Sequence, residues 1–103
     1  MTKSSKTLSF VASGSAMYTR KVSVSKDPDF LKVVNKLRDA DVSFMNFEGQ
    51  IGHPDAYAIK PYSFASYFFG EKWIAKEYAW TGFNLTSLAN NHMNDWSHHA
   101  IEE

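Results

Sequence analysis

Short apolar stretches recur along the chain at the spacing and length expected of β-strands. In the first, Leu8, Phe10 and Ala12 alternate with Ser9, Val11 and Ser13, which is the alternation of a half-buried strand. The second is a short apolar run that is also strand-like, and the third is predicted to be a buried strand. Glycine or polar residues end each of the three predicted strands, which are Thr7–Ser13, Val42–Phe47 and Phe83–Ala89.

Helical spacing of apolar residues appears between these strands. Asp27-Pro28 is a typical helix start, with Asp27 as the N-cap and Pro28 in the first helical position. The apolar residues that follow recur every three or four positions, which predicts an amphipathic helix over residues 28–39. A second helix is predicted over residues 71–81, and Ser97 can cap a third that begins at His98.

The remaining segments are predicted to be loops. Residues 17–26 are polar, and residues 49–70 combine two prolines with several aromatic residues but have no clean periodicity. Loops of that length are often functional. The aromatic residues could form a stacking surface for a sugar or peptide, or they could pack the loop onto the core. His53-Pro54-Asp55 could touch a substrate or form a turn, whereas adjacent His98 and His99 point in different directions and suit a surface role.

The order strand, helix, strand, helix, strand predicts an α/β fold with a parallel β-α-β-α-β unit and right-handed crossovers. The sequence ends inside the third predicted helix, which leaves sheet edges and apolar faces uncovered. We therefore expect residues 1–103 to be the N-terminal portion of a single larger domain, with residues 1–6 disordered. A complete minimal domain, or a chain completed by self-association, remains the alternative.

The amino-acid composition indicates the class of protein but specifies no particular activity. Of the 103 residues, 44% are hydrophobic and 16% aromatic, which fits a globular protein and argues against disorder. Lysine plus arginine (11) equals aspartate plus glutamate (11), so the charge balance does not support nucleic-acid binding. The absence of cysteine excludes disulfides, thiolate metal sites and a thiol nucleophile, but it leaves the compartment open.

The N-terminal segment predicts neither a signal peptide nor a membrane span. Residues 1–6 are polar, and the apolar run after them is only about six residues long, which is too short for either. We expect the chain as given to be soluble, and its localisation is not determined by the sequence.

Polar residues with metal-binding capacity follow each predicted strand. Gly14-Ser15 follows the first, Asn46-Phe47-Glu48 closes the second, and Asn90-Asn91-His92 follows the third. Parallel strands end at one edge of the sheet, where α/β folds bind ligands. Oxygen and imidazole ligands together suit manganese, zinc, iron or magnesium. Taken singly, the asparagines could be turn formers, Glu48 a solvated carboxylate and His92 a hydrogen-bonded histidine.

Three blocks of this sequence resemble the poly-γ-glutamate capsule-synthesis family of the metallophosphatase-like (calcineurin-like phosphoesterase) superfamily. Residues 10–20 are similar to the block of the family's first strand, and residues 40–49 to its Ala-Asp-φ-x-φ-x-Asn-φ-Glu block. Residues 82–95 resemble its Gly-Phe-Asp/Asn-φ-φ-Ser-φ-Ala-Asn-Asn-His-x-x-Asp block, which is the longest and most specific. The blocks occur in the family's order and span about residues 7–103. The resemblance implies that this chain is part of an α/β/β/α metallophosphatase-like sandwich.

The resemblance also implies roles for individual residues. Asn46 and Glu48 would line the metal site, and Asn91 and His92 would form the superfamily's Asn-His element for metal, phosphate and catalysis. Asp95 would brace the turn after them, or serve simply as a helix N-terminal carboxylate. The implied cofactor is a divalent metal, and the implied substrate is a phosphoester or an anionic polymer.

Arg20 and Asn90 are the residues we assign to binding that substrate, although Arg20 could equally be a solvated surface arginine. Ser15 departs from the family, which has aspartate after the glycine. A serine hydroxyl is a poor metal ligand at neutral pH, so one metal position should be weakened or lost. The superfamily's later histidine-bearing strands also have no counterpart here. This chain alone is therefore not expected to be a competent hydrolase.

Three hypotheses follow from the sequence. The first is a metal-dependent phosphoesterase-like protein of capsule or poly-γ-glutamate synthesis. The second is a non-catalytic relative that binds an anionic polymer or a biosynthetic partner, which the serine at position 15 favours. The third is a small α/β binding module with accidental similarity, which would fold and be indifferent to metal.

Overall fold

Parallel strand pairing and two helices organise the protein in the computed structural model, which describes residues 6–52, 68–93, 95–96 and 101–102. The elements in chain order are β1 (Phe10–Ser15), α1 (Pro28–Asp39), β2 (Val42–Asn46), β3 (Gln50–Gly52), β4 (Phe69–Glu71), α2 (Trp73–Thr81) and β5 (Leu85–Ser87).

The main sheet has three strands in the order β1-β2-β5, and both pairings are parallel. The predicted parallel α/β arrangement is therefore confirmed. An irregularity between Ala12 and Ser15 shifts the register of β1, so that Ser15 pairs with Asn46. Asn46 in turn pairs with Ser87 of β5. The ends of the three strands consequently lie side by side at one edge of the sheet.

Helix α1 has the predicted bounds because its start is determined locally. The Asp27 carboxylate accepts hydrogen bonds from the backbone N–H groups of Asp29 and Phe30, both at 2.9 Å, and Pro28 takes the first helical position. These contacts satisfy donors that have no partner inside the helix. Val34 and Leu37 are the buried residues of the helix.

Helix α2 supplies much of the core, and its C-terminal end contacts Arg38 of α1. Buried Ile74 and Tyr78 of α2 cluster with Met45 and Phe47 from the sheet. Both crossovers step across the sheet in the same direction, so right-handed connections put α1 and α2 on the same face, where they are in contact.

The Arg38 side chain and Gly82 meet at the C-terminal end of α2. Arg38 Nε donates to the Trp80 carbonyl at 3.0 Å, and its guanidinium lies 4.6 Å from the centroid of the Trp80 ring. Gly82 has φ 110° and donates its N–H to the carbonyls of Tyr78 and Ala79. Only glycine adopts such a backbone readily, and the turn closes the helix.

The loop after β1 is attached to α2 through a buried carboxylate. Glu77 accepts hydrogen bonds from the N–H groups of Val22 and Ser23, both at 2.8 Å, and from the Ser23 hydroxyl at 3.0 Å. The hydrogen bonds from Ser23 are the main cause that lowers the pKa of Glu77 below its ordinary value of 4.5. Nearby, the Tyr18 and Tyr78 rings stack with centroids 4.5 Å apart.

Several predicted bounds were wrong. Strand β1 begins at Phe10 rather than Thr7 and continues to Ser15, because pairing with β2 rather than local alternation sets its ends. Strand β5 is limited to Leu85–Ser87, and α2 begins at Trp73 rather than Glu71.

The segment 49–70, predicted to be a loop, contains β3 and β4 at its two ends. These strands form a separate two-stranded parallel sheet in which Gln50 pairs with Phe69 and Gly52 with Glu71. Each strand has three residues, which is too short for a periodic pattern to be visible in the sequence.

No helix in the described part of the chain has both the length and the hydropathy needed to cross a bilayer.

Candidate metal and acid–base site

The end of β1 and the end of β2 are joined by a hydrogen-bonded trio. Ser15 Oγ donates to Glu48 Oε2 at 2.5 Å, and Asn46 Nδ2 donates to Ser15 Oγ at 3.0 Å. The shifted register of β1 produces this contact, because it brings Ser15 opposite Asn46. The Ser15 hydroxyl therefore donates a hydrogen bond to Glu48 and accepts one from Asn46. The bond to Glu48 orients one oxygen of that carboxylate.

Asn90 ties the turn after β5 to the end of β2. Its Nδ2 donates to the Phe47 carbonyl at 2.7 Å, and its Oδ1 accepts the backbone N–H of His92 at 3.0 Å. The Phe47 N–H also donates to the Ser87 carbonyl at 3.0 Å, which continues the strand pairing past β2. These contacts hold the turn that bears His92 next to Glu48.

His92 lies between two carboxylates. Its Nδ1 is 2.6 Å from Asp95 Oδ2, and its Nε2 is 3.5 Å from Glu48 Oε1. All three side chains are partly buried, with exposed fractions of 24% for His92, 30% for Glu48 and 15% for Asp95. An ionised carboxylate can only accept, so Asp95 accepts a hydrogen bond from Nδ1–H, and Nε2 is the ring nitrogen that faces Glu48.

The Glu48–His92 pair has the separation of two ligands on one metal ion. Zinc-type ligands at about 2.1 Å in a tetrahedral site lie roughly 3.4 Å apart, and the Oε1–Nε2 distance is 3.5 Å. The contact between Asp95 and Nδ1 matches the carboxylate that normally supports a metal-bound histidine. Across residues 6–52, 68–93, 95–96 and 101–102, however, no group of three or more His, Asp or Glu is placed to hold one ion. Within the described residues, Glu48 and His92 are therefore the pair that could hold a cation, whose other positions would be left to carboxamide, water or substrate.

The charge of this edge is acidic. Glu48 and Asp95 flank a single imidazole, that of His92. An anionic substrate would meet repulsion at this edge unless a cation were bound, since charges of like sign repel strongly where water is partly excluded.

The structure brings together only some of the residues predicted for the site. Ser15, Asn46, Glu48 and His92 share one network with Asp95. The Asn90 amide donates to the Phe47 carbonyl and accepts the N–H of His92, so it contacts backbone groups. Asn91 is exposed in the turn, and Arg20 is exposed in the loop after β1; the hydrogen bonds of the described residues do not connect either to the network.

Other predicted features fall partly or wholly outside the described residues. Phe68 packs against the core cluster and Phe69 against the Trp96 ring, with centroids 4.9 Å apart. For these two aromatic residues, packing of the loop is therefore the observed role. Outside the described residues lie His53-Pro54-Asp55, the aromatic residues Tyr57, Tyr62, Phe64 and Tyr67, and His98-His99.

Sequence reasoning missed the contribution of Gln50. Its side chain is buried with 2% exposed, and its Oε1 accepts the backbone N–H of Trp96 at 2.6 Å. Nothing in the sequence around Gln50 indicates this contact, because its partner lies 46 positions away. The pairing of Asp95 with the His92 ring could have been predicted from their spacing of three residues within one turn.

An apolar cavity of about 430 Å³ lies beside the polar edge, between α2 and strands β2, β3 and β5. Its lining includes Met45 and Tyr78 from the core and also Gln50 and Met93, whereas Glu48 and His92 do not line it. The cavity therefore adjoins the polar edge without including its charged side chains.

The structure is thus a parallel α/β sheet with an imidazole and a carboxylate at the C-terminal ends of its strands, which is the edge where α/β folds bind ligands. Residues 9–103 match the family model described as bacterial capsule synthesis protein PGA_cap. Since the match covers nearly the whole chain, the protein belongs to this family, and its function is related to capsule synthesis. No curated protein matches the sequence.

Proposed function

We propose that this protein serves capsule or poly-γ-glutamate synthesis through a divalent-metal site with phosphoesterase-like chemistry at the edge formed by Ser15, Asn46, Glu48 and His92. The observation that carries this proposal is the arrangement of His92 between Glu48 and Asp95, with distances of 3.5 Å and 2.6 Å. A histidine braced by one carboxylate and facing another is suited to metal ligation.

Each residue has a distinct part in the proposed site. Glu48 and His92 would hold the ion, and the carboxamides of Asn46 and Asn91 would complete its surroundings. A divalent metal (manganese, zinc, iron or magnesium) supplies Lewis acidity toward a phosphoryl oxygen and toward water. Asp95 keeps the His92 ring in one orientation and tautomer, so that Nε2 always faces the site.

Substrate contacts are assigned to two further residues. Arg20 would meet the negative charge of a phosphoester or an anionic polymer, and Asn90 would contribute through the turn it stabilises. Because the described site residues are acidic, the cation would also be what makes binding of an anion favourable.

Ser15 weakens this site in comparison with an aspartate. The Ser15 hydroxyl donates a hydrogen bond of 2.5 Å to Glu48 Oε2. An aspartate at position 15 would instead add a second negative charge beside Glu48. Because residues 1–103 alone are not expected to be a competent hydrolase, we expect weak manganese- or zinc-dependent hydrolysis of a generic phosphodiester only from a chain that also carries the superfamily's later histidine-bearing strands. The variant Ser15→Asp should raise that rate and tighten metal binding, each on the order of tenfold or more.

The control for this experiment is Ser13→Asp, which adds the same charge on the same strand without touching Glu48. Ser13 Oγ lies 3.4 Å from the Phe44 carbonyl and 3.2 Å from that of Gly14. The variant His92→Ala should abolish both gains. If Ser15→Asp improves neither hydrolysis nor metal binding in folded protein, the catalytic proposal is wrong.

A second candidate function is a non-catalytic protein that binds an anionic polymer or a biosynthetic partner. The specific observation that favours it is the satisfied Ser15 hydroxyl, which leaves Glu48 with one oxygen committed to the protein itself. This candidate predicts metal-dependent binding of poly-γ-glutamate without turnover, and it becomes the leading account if the hydrolysis experiment fails.

A further inference from the structure

We propose that Gln50 is a positioning residue that holds the His92–Asp95 turn against Glu48. This inference rests on the proposed function, since it concerns the same site, but the contact itself is independent of which ligand binds there. Gln50 touches neither His92 nor Glu48 through its side chain amide; it would act through the backbone of Trp96.

The contact joins the two segments that form the site. Gln50 follows Glu48 by two residues, and Trp96 directly follows Asp95. The hydrogen bond of 2.6 Å from Trp96 N–H to Gln50 Oε1 therefore links the start of β3, just after Glu48, to the turn that carries Asp95.

A second amide makes the matching contact at the other end of the turn. Asn90 Nδ2 donates to the Phe47 carbonyl at 2.7 Å. Segments 47–50 and 90–96 are thus fastened at both ends, and the Glu48–His92 and His92–Asp95 contacts lie between the two fastenings. A turn held at one end only could rotate away and change both distances.

The burial of the polar Gln50 side chain indicates that its hydrogen bond to Trp96 is important. Its side chain is 2% exposed, and its Nε2 has no hydrogen-bond partner among the described residues. A buried donor without a partner is unfavourable, and an apolar residue of similar size would avoid that cost. The benefit that this glutamine supplies in return is the acceptor oxygen for Trp96.

Packing around Trp96 extends the connection to the small sheet. The Trp96 ring lies against Phe69 of β4, with centroids 4.9 Å apart. Strand β4 pairs with β3, in which Gln50 is opposite Phe69. The side chain of Gln50 and the ring of Trp96 therefore both hold the end of the turn to the β3–β4 pair.

The test uses the variant Gln50→Met in the whole protein, with Thr81→Val as the matched control. Thr81 is also buried with 2% exposed, but its hydroxyl contacts Glu77 and Tyr18, far from this turn. The first readout is the exchange of the His92 ring N–H with water, followed by NMR. The second is the Kd for zinc or manganese.

We expect Gln50→Met to speed exchange of the His92 ring proton by about tenfold or more and to weaken metal binding by roughly 10- to 100-fold. Thr81→Val should leave both unchanged at a similar loss of stability. Should Gln50→Met not fold, Gln50→Asn retains the amide on a shorter side chain that does not reach Trp96, with the same expected losses.

Unchanged ring-proton exchange and metal Kd in folded Gln50→Met or Gln50→Asn would overturn the inference. If the wild-type protein binds no metal, the proposed function fails, while the NMR comparison still decides the role of Gln50. Faster exchange in Gln50→Met alone would then support the positioning role, and equal exchange would reject it.

Discussion

At the scale of single residues, carboxylates that accept hydrogen bonds organise both the site and the chain around it. Asp95 holds the His92 ring, and Glu77 holds the loop after β1. Asp41 accepts from the N–H and the hydroxyl of Ser9, at 2.8 Å and 2.7 Å, and these bonds lower the pKa of Asp41. The roles of Glu77 and Asp41 are not visible in the sequence, because their partners lie 54 and 55 positions away from Glu77 and 32 positions away from Asp41.

The lowered pKa of Glu77 predicts a loss of stability in acid. A carboxylate whose folded-state pKa is depressed stabilises the fold above its unfolded value, here about 4.5, and the contribution disappears as pH falls through the folded-state value. Urea unfolding at several pH values should find Glu77→Gln less stable than wild type at pH 7. The difference should shrink steadily below about pH 4.5.

The control for this titration is Asp29→Asn. Among the described residues, Asp29 pairs with Lys32 in an exposed contact at 2.8 Å, and such pairs contribute little to stability. Its removal should leave the pH profile near that of wild type. Equal acid dependence in wild type and Glu77→Gln would show that the carboxylate does not hold the loop.

At the scale of elements, predictability depends on whether the signal is local. The bounds of α1 were predicted correctly because Asp27 and Pro28 determine its start within a few residues. Strands β3 and β4 were missed because their pairing partners lie 19 residues apart and each strand has three residues. The same distinction applies to the candidate site. Parallel pairing allowed us to predict that the strand ends meet, whereas the Gln50–Trp96 contact could be seen only in the folded structure.

The end of α2 provides a test of how the helices are joined. Gly82 has φ 110°, and a Cβ there would lie 2.8 Å from Arg38 Cγ and 3.1 Å from Arg38 N. The variant Gly82→Ala should lower the free energy of unfolding by about 1–3 kcal/mol, because it adds both a left-handed backbone cost and a steric clash. Urea denaturation measures the change.

Gly14→Ala is the matched glycine control, since a Cβ at Gly14 meets nothing within 4 Å. Its free energy of unfolding should change by less than about 1 kcal/mol. Comparable stability of the two alanine variants would contradict the described junction between Arg38 and the end of α2.

At the scale of the whole molecule, the apolar core packs on one face of the parallel sheet, and the polar candidate site lies at the C-terminal ends of its strands. Both helices cover one face, and the exposed Phe10 and Leu85 side chains belong to strands of the sheet. Membership of the capsule-synthesis family agrees with this architecture. The complete four-layer sandwich implied by the resemblance stays a prediction, as do the roles assigned to Asn91 and Arg20.

The central claim is that Glu48 and His92 together bind a divalent ion, and isothermal titration with zinc and manganese tests it most directly. We expect wild-type protein to bind about one ion per chain, and Glu48→Gln and His92→Ala each to weaken binding by roughly 10- to 100-fold. The control Glu71→Gln removes an exposed carboxylate at the end of β4 and should bind as wild type does. Unchanged binding in both site variants, or no binding by any folded form, would contradict the claim.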